Sequence, residues 1–401
     1  MNSKTLIQLA LGAAISGAAG TALAEPMPST AEMWRIIQHQ QKEIAALKSQ
    51  LKNTDDKAEA AVEAIETSAA SSGGHSSSGK TTIGGYGELH YNNLEGSGGA
   101  SDKDEIDLHR VIMFLGHEFS DKTRFFSEIE YEHANTEVNG VVEIEQAYIE
   151  RDLSEQAKVR AGMFLVPAGI INETHEPPTF YGVERNPVEK NIIPATWSVG
   201  GVDLLGQFGQ GFSYDLAIHE GMNTSAADSY KVRSGRQWSS QAVAKDLAFT
   251  GRLKWTGMPG VELAGTYQYQ SDMTQGLDST AGSASLYEVH GIFNKGPFTL
   301  KALYALWDLE GSGPAAIGAD EQSGWYIEPS YKISETVGLF TRFNQYDNAA
   351  GSSSASEKQQ WDVGVNWWIE PDVVIKADYQ SQDNADDQNR DGFNLGVGFQ
   401  F

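Results

Sequence analysis

The sequence predicts an all-β transmembrane fold, an antiparallel outer-membrane β-barrel of about sixteen strands preceded by an N-terminal coiled-coil helix. Three observations carry this. The last nine residues, FNLGVGFQF at 393–401, put Phe393, Leu395, Val397, Phe399 and Phe401 on one parity and Asn394, Gly396, Gly398 and Gln400 on the other. Successive strand side chains point to opposite faces, so one face is apolar and the other small or polar. From residue 80 onward, similar alternating segments are joined by connections that are short and long in turn. Beyond residue 24, no stretch approaches 18 consecutive apolar residues, so any span must be built from strands.

Composition agrees with a barrel. The 401 residues carry a net charge of -25, 42 Gly, 12 Pro and no Cys, and 40% are hydrophobic. That apolar share is modest, yet it suffices where one face of each strand is buried in lipid and the lumen is kept polar. Without Cys there is no disulfide framework and no thiolate metal site. The acidic balance argues against nucleic acid, which needs clustered Lys and Arg.

In chain order, residues 1–24 read as a signal peptide, with Lys4 in the n-region, an apolar core at 6–15 and an ALA cleavage site at 22–24. Residues 25–67 then form a periplasmic coiled-coil segment. Ile37, Ile44, Leu51, Ala58 and Ile65 fall seven apart, and Met33, Gln40, Leu47, Thr54 and Ala61 make the second seam. A Ser/Gly-rich flexible linker occupies 68–79. Its GHSSSGKT at 74–81 matches the phosphate-binding loop pattern, but a strand-like stretch follows where a helix is needed, so nucleotide binding is discounted.

The barrel covers 80–401. Its clearest segments are Phe125/Ile129/Tyr131, Phe212/Tyr214/Leu216/Ile218, Leu247/Phe249/Leu253/Trp255, Val261/Leu263/Tyr267/Tyr269, Phe298/Leu300/Tyr304/Leu306 and Trp361/Val363/Val365/Trp367/Ile369. Short turns fall near 119–123, 257–260, 294–297 and 370–372, and long polar loops at 271–283, 310–322, 348–358 and 381–391. Residues 166–197 break the pattern. This third long connection lacks alternation, carries Pro167, Pro177, Pro178, Pro187 and Pro194, and holds Glu173, His175, Glu176, Glu184, Arg185, Glu189 and Lys190. A long segment stiffened in this way needs something to pack against, and a lumen supplies partners for its backbone polar groups. It is therefore expected to form a pore constriction with local excess negative charge.

The terminal strand resembles that of bacterial outer-membrane porins, whose last Phe is read by the barrel-assembly machinery; Phe401 holds that place. The loop sequences INETHEPPTFYG at 171–182 and ERNP at 184–187, with DLHR at 107–110 and GHEF at 116–119, look similar to the phosphate-selective porin O/P-type family. The resemblance implies a homotrimer of sixteen-stranded barrels in outer-membrane lipid, each a channel for small polar solutes, with no cofactor.

Opposite the apolar parity, the lumen-lining candidates are Arg110, Arg252, Lys254, Lys301, Lys332, Arg342 and Lys376 among bases. Among acids they are Glu88, Glu128, Glu130, Glu132, Asp215, Glu262, Glu328, Asp362 and Asp378. No row of one sign emerges, so a mixed transverse field is favoured over the dedicated anion site that the family name implies. The nine His are scattered without metal-ligand spacing, and DQNRDG at 387–392 matches only the first half of a calcium loop, so no metal is assigned. No Gly-x-Ser-x-Gly or His-Glu-x-x-His occurs, which weakens an enzyme reading. A transport channel and a structural anchor with a periplasmic spacer remain, and a constriction loop favours the channel.

Overall fold

In the computed structural model, which describes residues 80–401, sixteen strands form a closed antiparallel barrel. The expected signal peptide, coiled coil and linker fall at 1–79, outside the described residues. The strands are β1 Thr81–Gly96, β2 Lys103–Ser120, β3 Thr123–Glu132, β4 Val141–Asp152, β5 Ala157–Leu165, β6 Ser198–Phe208, β7 Phe212–His219 and β8 Ala248–Met258. They continue as β9 Val261–Gln270, β10 Ala284–Lys295, β11 Phe298–Leu309, β12 Glu321–Lys332, β13 Val337–Asp347, β14 Lys358–Glu370, β15 Val373–Gln382 and β16 Arg390–Gln400. Each pairs with its neighbours in sequence, and β1 closes on β16 from Tyr86↔Gln400 to Gly96↔Arg390. Closure leaves no unpaired strand edge to face lipid. Among the described residues no helix is long and apolar enough to cross a membrane.

The alternation decides the faces. On β16, Phe393 is 60% exposed on the outside and Asn394 1% exposed on the inside. Phe401 extends the closure by one residue: its N–H donates to the Gly85 carbonyl at 2.9 Å and its own carbonyl accepts from Gly85 at 3.0 Å. At the same end of the seam, Thr81, the last residue of the phosphate-loop pattern, opens β1 directly, and 74–79 fall outside the described residues.

Short turns at 121–122, 153–156, 209–211, 259–260, 296–297, 333–336 and 371–372 lie at one end of the barrel. Long connections at 97–102, 133–140, 166–197, 220–247, 271–283, 310–320, 348–357 and 383–389 lie at the other. The loops expected at 310–322, 348–358 and 381–391 are shorter because polar residues such as Gln382 remain in the ladder, opposite Gln360. The second-longest connection, 220–247, was not foreseen, since its polar and small residues resemble an ordinary loop.

Two bulges shape the inner face. In the β1–β2 ladder Glu88 faces Arg110 and Leu89 faces Leu108, so His109 is extra. In the β3–β4 ladder Glu128 faces Gln146 and Ile129 faces Ile144, so Glu145 is extra. An extra residue shifts the parity of the strand beyond it and re-aims side chains. Both bulges thereby add a titratable group to the inner wall.

The lumen is not polar throughout, contrary to expectation. Val188, Ile192, Ile193 and Trp197 of 166–197 pack with Leu286, Leu303, Trp307 and Tyr326 from β10–β12 and with Met222 and Val232 of 220–247. Burying side chains of this size contributes roughly 1.5–3 kcal/mol each. β11 is apolar on both faces along this half, which is the sequence signal of a strand covered from inside as well as by lipid.

Candidate functional site

Residues 166–197 run across the inside of the barrel, and wall side chains hold their backbone along the way. The Arg110 guanidinium donates to the His175 carbonyl at 2.8 Å, Trp368 to Pro178 at 3.1 Å and Asn366 to Phe180 at 3.0 Å. Arg342 donates to the Tyr181 carbonyl at 3.3 Å and Lys376 to that of Gly182 at 2.8 Å. Asp378 accepts from the Val183 N–H at 2.7 Å. On other strands, Arg252 of β8 pairs with Glu173, Thr266 of β9 donates to the Pro167 carbonyl at 3.1 Å, and Trp307 of β11 donates to that of Ile192 at 2.9 Å. Donors and acceptors thus come from strands on all sides of the bore, which a segment lying over the rim could not reach.

This use of the wall changes the role of several predicted lumen residues. Arg110, Arg342, Lys376 and Arg252 are buried against the loop, and Glu128 and Glu130 are buried with them. Lys254 and Lys301 remain partly exposed, near Glu262 at 3.8 Å and Glu328 at 4.0 Å. Lys332 sits exposed at its strand end, over the Trp368 ring.

Within the loop, Pro187–Asn191 forms a short helix, α1, with Pro187 in its first turn and the Asn186 side chain accepting from the Glu189 N–H. Glu189 was expected to line the constriction but is fully buried. Its carboxylate accepts from the N–H groups of Ile170 (2.8 Å) and Ile171 (2.5 Å) and from the Tyr326 hydroxyl (2.7 Å). Burial raises its pKa, and those hydrogen bonds oppose the rise. Glu189 is therefore a structural knot, because a buried carboxylate persists only where donors converge on it. Gly169, at φ +74°, must be glycine here: a Cβ would lie 2.6 Å from the Glu189 Oε2.

His175 is also buried, with Nδ1 3.0 Å from the Asn172 carbonyl and Nε2 3.2 Å from Glu145. Burial by itself would lower its pKa, but Glu145 and Glu128 outweigh it and hold the imidazole well above its usual value. Glu173 is tied up by Arg252, and Glu176 is half-buried. Glu184, Arg185 and Lys190 reach open space. Burial would raise the Glu184 pKa, but its hydrogen bond with His90 and the charges of His90, Lys190 and Lys103 hold it well below the usual carboxylate range.

That open space is a cavity of about 360 Å³ on the long-loop side. One wall is acidic, with Glu88, Glu105, Asp107, Glu130, Glu132, Glu143 and Glu145 from β1–β4. The facing side is formed by loops, with Arg185 and Lys190 from 166–197 and Arg233, Arg236 and Trp238 from 220–247. None of these four cations lies within 4.0 Å of a carboxylate among the described residues. Instead Arg233 donates to the carbonyls of Lys190 (2.6 Å) and Ala195 (2.9 Å), and Arg236 to that of Thr196 (2.5 Å). Carbonyl partners fix a guanidinium without neutralising it. Burial, and after it the charge of Arg233, pushes the Arg236 pKa down to about 9, which leaves it charged at neutral pH.

Arg233, Arg236, Trp238 and His90 were not singled out from the sequence, and Asp107 and His109 entered only through the DLHR resemblance, with no site role. Two arginines three apart beside a Trp, in a long connection without alternation, were the available signal. On the short-turn side of the loop, a second cavity of about 290 Å³ is lined by Lys158, Arg160, Lys254, Asp215 and Glu173. The DQNRDG stretch is tied to the residues before it: Asp391 accepts from the Gln382 N–H at 2.6 Å and Asn389 from that of Asn384 at 2.9 Å.

Residues 83–401 match the family described as phosphate-selective porin O and P. The chain belongs to this porin family. A protein of Aquifex aeolicus (strain VF5) is 31% identical over 361 residues, covering 80% of each chain. Among solved structures, the outer membrane channel DcaP of Acinetobacter baumannii matches with a TM-score of 0.56 at 15% identity, covering 82% of this chain and 100% of its own. The anion-selective porin from Comamonas acidovorans gives 0.57 at 11%, covering 80% and 100%. OmpT of Vibrio cholerae in its trimer form gives 0.51 at 10%, covering 80% and 99%. At these identities the structures share the fold. Family and fold together make this porin an outer-membrane channel for passive diffusion, and they point to a channel rather than an enzyme.

Proposed function

We propose that ions and small hydrophilic solutes cross this porin between the β1–β4 wall and the two inward loops, through a transverse field at the level of Glu184 and Lys190. The observation that carries this reading is the attachment of 166–197 to side chains all round the bore. A loop tied in this way narrows the path to one side, and acids there face bases that no carboxylate neutralises. Eight carboxylates line the cavity against five Lys and Arg, and with Glu88 offset by Arg110 at 2.6 Å and Glu145 by His175 at 3.2 Å the remaining acidic excess is small, which supports weak selectivity tilted towards cations. The unneutralised Arg185, Lys190, Arg233 and Arg236 favour a second reading, a dedicated anion path.

Single-channel recordings in planar bilayers with a salt gradient separate the two by the sign of the reversal potential. In the first reading, Arg185→Ala with Lys190→Ala moves that potential further towards cations, and the effect shrinks at high salt as charges are screened. An unchanged potential and conductance in low salt would refute the assignment of the loop to the constriction. The proposal extends to assembly. The trimer form described for OmpT supports a homotrimer, and the heptads at 25–67 suit a periplasmic helical bundle. Phe401, exposed beside the β1–β16 seam, is proposed as the signal to the barrel-assembly machinery. Crosslinking that yields only monomers, with and without residues 25–66, would refute the trimer.

A further inference from the structure

His109 and His133 lie far apart in sequence spacing terms, yet strand pairing brings both onto Asp107. The β2 bulge keeps His109 on the inner face with Asp107, two residues before it. His133 follows β3 directly at φ +54°, a left-handed conformation in which His is enriched, and its N–H donates to the His109 carbonyl at 3.3 Å. That turn aims its ring back along the wall. Its Nδ1 stands 2.9 Å from the Asp107 Oδ2, and the Nδ1 of His109 stands 3.2 Å from the same oxygen. All three ligand atoms fall within 4.8 Å of one another.

We infer that Asp107, His109 and His133 form a binding site for a divalent transition-metal ion of the zinc class, open to the porin lumen. Bonds of about 2.0–2.2 Å to nitrogen and oxygen place neighbouring ligand atoms about 3–3.6 Å apart. The two distances to the carboxylate are already close to that spacing. Two imidazoles and one carboxylate suit zinc, copper or nickel over the hard cations, which prefer oxygen alone. All three residues line the cavity, so water or a chloride ion from the lumen could reach a bound ion to complete its ligand set. One face of the His109 ring is held by His90, stacked at 4.7 Å, and His90 is itself 3.1 Å from Glu88.

The other cluster of this kind, Glu128, Glu145 and His175, differs in two ways. All three side chains are buried, and Tyr86 and Gln146 already donate to Glu128. It offers neither an entry path nor free lone pairs on a shared open side.

A metal bound at Asp107 adds two positive charges to the acidic wall opposite Arg233 and Arg236. This consequence rests on the proposed path of the pore; the binding itself does not. Titration of the full-length, metal-stripped protein in detergent with zinc chloride should show one site per chain by calorimetry. His109→Ala with His133→Ala should weaken binding at least tenfold, whereas His117→Ala, at the short-turn end, should leave it unchanged. Heat-modifiable migration on gels confirms that each variant is folded. No zinc binding by folded wild-type protein, or equal binding by the double variant, overturns the inference. In bilayers, zinc should shift the reversal potential towards anions in the wild type and not in the double variant. Calorimetric binding that depends on both histidines, together with an unshifted potential in both proteins, supports the site and refutes the proposed path alone.

Discussion

Replacing Glu189 by alanine should release the loop that crosses the bore. The carboxylate serves the Ile170 and Ile171 N–H groups and the Tyr326 hydroxyl, at 2.8, 2.5 and 2.7 Å. After truncation these three donors stay buried without an acceptor, and each stranded donor costs about 1–3 kcal/mol. Even the lower end sums to about 3 kcal/mol, which shifts the docked-to-undocked ratio of the loop about 100-fold. The barrel ladder is untouched, so the variant should keep its heat-modifiable migration while the loop loosens. Single-channel recording is the assay, with a rise in mean conductance and in open-channel noise as the expected result. Glu189→Gln retains the shape and one carbonyl acceptor and should fall between. Should Glu189→Ala give wild-type conductance and noise at low and high salt, either the loop does not narrow the path or Glu189 does not hold it.

Gly169→Ala should resemble a milder Glu189 variant in the same recordings, because the new methyl meets Glu189 Oε2 at 2.6 Å with the backbone held at φ +74°. Arg233→Ala with Arg236→Ala should raise cation preference, with the largest shift in reversal potential at low salt and little at molar salt. Glu184 has a pKa held well below 4.5, so its contribution to loop docking is fully present above pH 4.5 and lost as pH falls towards the lower folded value. Open-channel noise from loop undocking should accordingly stay flat between neutral pH and 4.5 and rise only below. Deleting Phe401 removes two backbone hydrogen bonds to Gly85 at the seam, and outer-membrane levels of the variant, read by fractionation, should drop.

The barrel itself was legible in the chain. Alternation such as that of 393–401 is local, because lipid solvates one face of every strand whatever its partners, and a short turn or long loop is marked by its own residues. The odd segment 166–197 stood out for the same reason, as five prolines and lost alternation need no knowledge of contacts. Which charges stay free could not be read that way. Glu189, Arg110, Arg342 and Lys376 follow the correct parity or lie in the correct loop, yet each binds backbone groups that arrive from distant sequence, and Arg110 and Arg342 pair with wall carboxylates as well. The bulges at His109 and Glu145 depend on register between neighbouring strands, and the arginines of 220–247 acquire their place only when both loops share one interior. Pairing and docking are nonlocal, so the tertiary structure alone decided which side chains hold the loop and which face the path.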